Sequence, residues 1–512
     1  MEWGDSTCAK YQSQSFGNAM GREAKIKESA LYEVWKHQDF KSTLKTPDGD
    51  DVVVLERGTL NNELAGPDFR NARIRIGNLT YVGDIEIDCA YTDWKSHGHH
   101  LDSKYNKVVL HASFINKSNY SHVYTRDGRK VPSVSLHNYL DPKLIEGMKT
   151  ELEETDKSNG TSLKCHAING TVAVEQKEKI LYELGVHRFE KKCKKIFLRL
   201  KELEFLREMK IKEPVVSYDL TNQFHEKNFT HKDFGSKEIW QQLLYELLFE
   251  ALGYSKNKTQ MMDLAKHANV KFLSQIEKDG VIIEKYESIL FHISGLIQNS
   301  TVASEGQTKA YLERLNLHWN SVRSLYDGAL MDETDWNFFR LRPQNFPTVR
   351  IAGGAKLIFD LLHGEIIKIM IKKITEIHNL NVLVNSLRSM FVVRADGYWR
   401  NHYVFDELSS SEIKYFVGAS RADEIVVNVL IPFFAVYFDV FGNKNLSKKV
   451  FKMYTIFEQK AENQIITDVA GSLNLAESMK KTIIAQGMIE LFRNLCSKNK
   501  CLECEIGKAV FD

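Results

Sequence analysis

Apolar residues recur along this chain with two different rhythms. Between residues 24 and 140 the spacing is mixed. Residues 29–40 (SALYEVWKHQDF) put Leu31, Val34 and Trp35 on one side of a helix. Residues 51–55 read as a short strand. Arg73-Ile74-Arg75-Ile76 alternates and is followed by Gly77-Asn78, which predicts a tight turn and a returning strand over 79–88. Residues 107–114 (KVVLHASF) are apolar enough for a central strand. Between the last two lie residues 93–102 (DWKSHGHHLD), too polar and Gly-interrupted for a core helix, which predict a loop or short helix.

From about residue 172 the helical rhythm takes over. Residues 174–212 are long, charged and periodic. Residues 239–252 (IWQQLLYELLFEAL) form an amphipathic helix that stops at Gly253. Further helices are expected over 259–273, 283–298 and 308–325. Helices resume after the Pro-containing stretch 342–347 and run to 495, with an interruption near 428–432. The polar run 157–161 (KSNGT) is the expected boundary. The predicted fold class is therefore α+β. A mixed α/β sheet domain occupies 24–156, followed by a large mainly helical region, divided as 165–340 and a C-terminal part 341–512 that carries a cysteine cluster.

Composition narrows the functional classes. The chain has 512 residues, 43% hydrophobic and 27% charged, as in ordinary globular proteins, and a net charge of +2. No overall field draws it to nucleic acid or membrane, so any basic surface is local. Residues 1–20 are polar, which predicts no secretory signal, and no apolar run is long enough to span a bilayer. Seven cysteines, an odd number, read as reduced thiols in a cytoplasmic protein rather than a disulfide framework.

The chemistry concentrates in Gly83-Asp84-Ile85-Glu86-Ile87-Asp88. In a strand, alternate side chains face opposite sides. Ile85 and Ile87 then enter a core, while Asp84, Glu86 and Asp88 share the other face, on the order of 7 Å apart. Like charges so arranged raise one another's pKa unless a cation or basic groups compensate. Asp68 precedes Glu86 by 18 positions. A turn, a hairpin and a strand can bring the two carboxylates together, and such oxygen ligands suit Mg²⁺ or Mn²⁺. His97 and His99 are candidates for proton transfer, or for zinc together with Asp102. His111, inside an apolar strand, reads as a core histidine.

Pro67-Asp68 and Glu86-Ile87-Asp88 resemble the PD-(D/E)XK motif of nucleases with the restriction-endonuclease-like fold. That resemblance implies Asp68 and Glu86 as metal ligands in a metal-dependent nuclease. Asp88 stands where the motif has Lys, so Lys95, His97 or His99 would supply the missing positive charge. Asp68, Glu86, Asp88, Lys95, His97 and His99 are the catalytic candidates on this reading. Because that Lys is absent, the alternative is a non-catalytic nucleic-acid- or protein-binding scaffold on a degenerate nuclease core. Over nearly its whole length the chain also resembles domain-of-unknown-function family 2851, through residues 62–72 (NELAGPDFRNA), 93–99 (DWKSHGH), 336–350 (WNFFRLRPQNFPTVR) and 496–507. That second resemblance implies no activity.

Two further groups complete the candidates. Cys496, Cys501 and Cys504 have C-x4-C-x2-C spacing, with Cys165 as the distant fourth ligand for zinc or an iron–sulfur cluster. Residues 187–201 (HRFEKKCKKIFLRLK) are positive on several helical faces and read as a solvated helix. Arg340, Arg342 and Arg350 flank Pro343, Phe346 and Pro347 in a stiff aromatic loop and are the candidates for phosphate contacts with nucleic acid.

Overall fold

The computed structural model of the chain describes residues 26, 28–61, 66–148, 163–166, 168–210, 224, 226–297, 303, 305–338, 341–409, 411–458 and 463–511. The expected boundary at 157–161 and the motif residues 62–65 lie outside these. The chain divides into two units, Met1–Thr161 with Asn337–Arg342, and Ser162–Trp336 with Pro343–Asp512. The fold is α+β, with the strands of the large sheet in the first unit and most helices in the second.

The first helix among the described residues of the first unit is α1 (Glu28–His37), which buries Leu31, Val34 and Trp35 as its apolar spacing requires. An eight-stranded mixed sheet follows: β1 (Leu44–Lys45), β2 (Asp51–Glu56), β3 (Thr59–Leu60), β4 (Phe69–Ile76), β5 (Leu79–Ala90), β6 (Val108–Ile115), β7 (His122–Tyr124) and β8 (Lys130–Ser135). Their order is β1-β2-β4-β5-β6-β8-β7, with β3 paired to β4. β5–β6 and β6–β8 are parallel, and the other pairs are antiparallel. The Gly77-Asn78 turn joins β4 to β5 with Gly77 at φ +56°, a left-handed conformation glycine adopts without penalty. Gly83 is needed for another reason. A Cβ there would stand 2.4 Å from the Lys107 carbonyl oxygen and 2.4 Å from Val109 Cγ1, so β5 and β6 meet this closely only because the side chain is absent. Ile74, Ile85, Ile87, Leu110 and Ala112 fill the core beside Trp35 and Phe69.

The parallel β5–β6 step needs a crossover. Residues 91–107 provide it: α2 (Asp93–Ser96), then short 3₁₀ turns at His99–Leu101 and Ser103–Lys107. The sequence expectation of a loop or short helix here is met.

In the second unit the longest helix is α3 (Val174–Met209), followed among others by α4 (Lys237–Leu252), α5 (Ile282–Ile293), α6 (Gly306–Val322), α7 (Pro347–His363), α8 (Ile431–Val440), α9 (Thr482–Asn494) and α10 (Glu505–Phe511). α3 and α9 cross at small residues. A Cβ on Gly185 would lie 2.2 Å from the Ile483 carbonyl, and one on Gly487 1.9 Å from that of Leu181. The interruption expected near Pro432 is a π-helical turn, Val426–Leu430, that runs straight into α8. A widened turn accommodates the proline, which has no N–H to donate, without ending the helix. Among the described residues no helix is long and apolar enough to cross a membrane.

Candidate metal centre

The second half of β5 is buried on both faces. Ile85 and Ile87 enter the apolar core as the alternation requires. The opposite face is covered too, although one face of a hairpin is often left wet. Asp84, Glu86 and Asp88 are 8%, 2% and 1% exposed. Their cover is the crossover itself, which lays Trp94, His99 and Tyr105 over them, with Val108, Val123 and Val131 packed behind Trp94 and Tyr105. Buried carboxylates demand compensation, and each of the three finds a different kind.

Asp84 serves the backbone. Its Oδ1 accepts the Asn71 N–H at 3.0 Å, and Asn71 has φ +56° inside an irregularity of the β4–β5 pairing between Phe69 and Ala72. Asp84 thereby satisfies an amide that the bulge removes from the ladder.

Glu86 and Asp68 are brought together. Asp68, just ahead of β4, donates its backbone N–H to Glu86 Oε2 at 3.1 Å. Its own carboxylate accepts the Ile87 N–H at 2.9 Å on Oδ2 and the Tyr32 hydroxyl at 2.7 Å on Oδ1. Burial, and then the neighbouring Glu86 charge, push the Asp68 carboxyl well above the usual range, against the Tyr32 hydrogen bond. Tyr32, on α1, was not a sequence candidate. Nothing in the amphipathic pattern of that helix distinguishes a hydroxyl aimed at a carboxylate from an aromatic packed on Phe69, and it does both.

Asp88 gathers three histidines. His97 Nδ1 donates to Asp88 Oδ1 at 3.0 Å, and His111 Nε2 donates to Oδ2 at 3.2 Å. His99 Nε2 lies 3.6 Å from Asp88 Oδ1 and 3.0 Å from Glu86 Oε1. With Nε2–H committed to a carboxylate, a neutral His111 accepts the Ser133 hydroxyl on Nδ1, 3.0 Å away. Burial opposes the Asp88 charge, but His99, His111 and His97 outweigh it and hold the carboxyl well below its usual range. In return, and against its own burial, Asp88 raises the His97 imidazole above its ordinary value. His111 is thus the core histidine expected from sequence and also an Asp88 partner. The parallel register that sets Glu86 opposite His111 is what delivers it.

Each of Asp88, His97 and His99 offers a ligand atom within 4.8 Å of the others, and among the described residues this is the group of three or more that does so. One carboxylate oxygen and two imidazole nitrogens suit Mn²⁺ or Zn²⁺ better than Mg²⁺, which favours oxygen ligands. The donor set fits such an ion, with Glu86 and Asp68 alongside. His99 and the acids are sealed, whereas the His97 side chain is 21% exposed, so His97 marks the opening.

The other candidates fall elsewhere. Lys95 is exposed on α2. Asp102 caps a 3₁₀ turn by accepting the Lys104 N–H at 2.9 Å. Arg340 lies outside the described residues. Arg342 is exposed in the first unit. Arg350, in the second, is 5% exposed, and its guanidinium donates to the Phe416 carbonyl, to Tyr254 Oη at 2.7 Å and to Asn345 Oδ1 at 2.7 Å. The basic run 187–201 is also largely engaged within its unit. Arg188 reaches Gln486 and Glu490, and Arg199 holds Glu246 at 2.8 and 2.9 Å.

The family model described as "Protein of unknown function (DUF2851)" matches residues 28–211 and 221–464. No curated protein and no solved structure matches the chain.

Proposed function

Since the chain belongs to the DUF2851 family, whose function is unknown, we propose from the chemistry of its site that it is a divalent-metal-dependent nuclease or related phosphodiesterase. One observation carries this reading: Asp88, His97 and His99 bring ligand atoms within 4.8 Å of one another beside two further acids. The element order of the first unit, in which a helix, an antiparallel hairpin and a parallel neighbour place Asp68 beside Glu86, supports the restriction-endonuclease-like assignment. A bound divalent ion would polarise a phosphoryl oxygen and lower the pKa of a water. The chain's own residues do the rest. Asp88, His97 and His99 would hold the ion, Asp88 also fixes His111, Glu86 steadies His99, and the exposure of His97 would set the ion at the opening, where a phosphodiester reaches it. Asp68, with its raised pKa, retains a proton at higher pH than an ordinary aspartate and so adds less repulsion beside Glu86.

The test is hydrolysis of single- and double-stranded DNA and of RNA by chelated protein reloaded with Mn²⁺, Mg²⁺ or Zn²⁺. Cleavage should require the ion and fall at least a hundredfold in Asp88→Asn, His99→Asn and Glu86→Gln variants that keep their circular dichroism. Equal activity in folded variants would refute the assignment.

A second reading has its own support. Glu86, Asp88, His99 and His111 are each no more than 2% exposed, and no Lys follows Glu86 in the nuclease position. A closed ion-pair network of this kind suits a scaffold that binds nucleic acid or protein without cleaving it. On that reading, salt-sensitive binding persists in Glu86→Gln.

A further inference from the structure

The second unit holds a chemistry that the Asp88 site does not use. Cys165, Cys496, Cys501 and Cys504 carry free thiols. Cys165 sits ahead of α3, and the other three lie between α9 and α10, so they come from opposite ends of the helical unit.

The fold brings those ends together. Both backbone amides of Ile168 and Asn169 point at the Cys165 carbonyl, at 3.1 and 2.8 Å, and the buried Asn169 side chain donates to it at 2.8 Å. The same side chain reaches the Ser472 carbonyl at 2.9 Å and receives the buried Lys177 ammonium at 2.7 Å. The turn at Asn169–Thr171 then packs against α10. On the other side, Gly507 of α10 comes so near the Cys501 carbonyl that a Cβ would lie 2.0 Å from it. Cys504 is 7% exposed, and the remaining three are half-buried.

No three of these sulfurs come within 4.8 Å of one another, wider than a single tetrahedral zinc holds its thiolates. We propose that Cys165, Cys496, Cys501 and Cys504 form a four-thiolate site for an iron–sulfur cluster, whose several irons spread their ligands, and that the cluster clasps the start of the helical unit to its end. The C-x4-C-x2-C spacing with one distant partner is the arrangement such centres take. Electrostatics agrees with the geometry. Burial, and then Cys504, Cys165 and Cys501, push the Cys496 thiol up to about 12, and burial and Cys504 also raise Cys165. Thiols that oppose one another's ionisation are stabilised as thiolates by a shared cation. Joining residues so far apart in sequence removes a large loop entropy from the unfolded chain, so the centre also supports the fold.

The test uses the full chain carrying Asp88→Asn, so that metal at the first site does not count. The protein is purified without oxygen, and zinc, iron and acid-labile sulfide are measured per chain. Iron and sulfide in matching amounts, with visible absorption, support a cluster. Cys165→Ser should lower bound metal severalfold, while Cys193→Ser, outside the group, retains it. Chelation should lower the thermal midpoint of the Asp88→Asn protein and leave that of its Cys165→Ser derivative unchanged. Iron and sulfide at background in the folded Asp88→Asn protein, zinc in their place, or full cluster content in Cys165→Ser would overturn the proposal. Because the site lies in the second unit, loss of nuclease activity alone leaves it standing.

Discussion

Asp88 holds the ring of His97 by a 3.0 Å hydrogen bond to Nδ1, and this contact outweighs the burial that would otherwise discharge the imidazole. Asp88→Asn removes the charge but keeps an oxygen that can accept. Burial then dominates, and the His97 titration should move from above 6.5 to below it. Histidine-resolved NMR titration reads the shift directly, and an unmoved His97 would show that Asp88 does not control it. Stability should respond with a defined sign. A carboxyl whose folded pKa is depressed stabilises the protein above its unfolded pKa, and that contribution is lost as pH falls through the acid range. Asp88→Asn should lose its penalty at low pH.

A second buried carboxylate behaves in the opposite way. Burial pushes Glu287 on α5 up to about 7, although the Tyr311 hydroxyl donates to it at 2.6 Å. Between pH 4.5 and 7 the folded protein therefore binds more protons than the unfolded chain, and stability falls as pH rises, by up to about 3 kcal/mol. Glu287→Gln keeps an acceptor for Tyr311 and has no proton to lose. Urea unfolding of the helical unit at pH 5 and pH 7 should show the wild-type difference and a flattened one in the variant.

Gly83 tests the strand contact beneath the site. Gly83→Ala forces a methyl onto the Lys107 carbonyl and Val109, each 2.4 Å away, and should cost about 1–3 kcal/mol. A neutral result in chemical denaturation would mean that β5 and β6 relax apart at no cost.

The arginines separate by burial. Arg350→Met strands the Phe416 carbonyl and should cost about 2–4 kcal/mol without changing the salt dependence of nucleic-acid binding. Arg342→Ala, on an exposed position, should leave stability within about 0.5 kcal/mol. If nucleic acid is a ligand, it should also reduce the slope of log affinity against log salt by about one. Filter binding across salt concentrations decides it.

Local pattern made much of this protein legible. Alternation in 73–76 and 79–88 with Gly77-Asn78 between them determined a hairpin, and Ile85 and Ile87 faced the core because strand periodicity leaves no other arrangement. The long helices followed from their apolar stripes, and the acids, His97 and His99 were legible as chemistry by their density. Tertiary structure alone decided which of them meet. The bulge at Asn71 turns Asp84 into a backbone cap, the β5–β6 register carries His111 to Asp88, and the crossover closes over a face that local pattern left open to water. Likewise the turn that follows Cys165 packs against α10, the helix that begins just after the last three cysteines. Periodicity depends on neighbours a few residues apart. Partner choice depends on register, crossover path and burial, which are set by contacts between segments far apart in sequence, and their spacing along the chain carries no record of it.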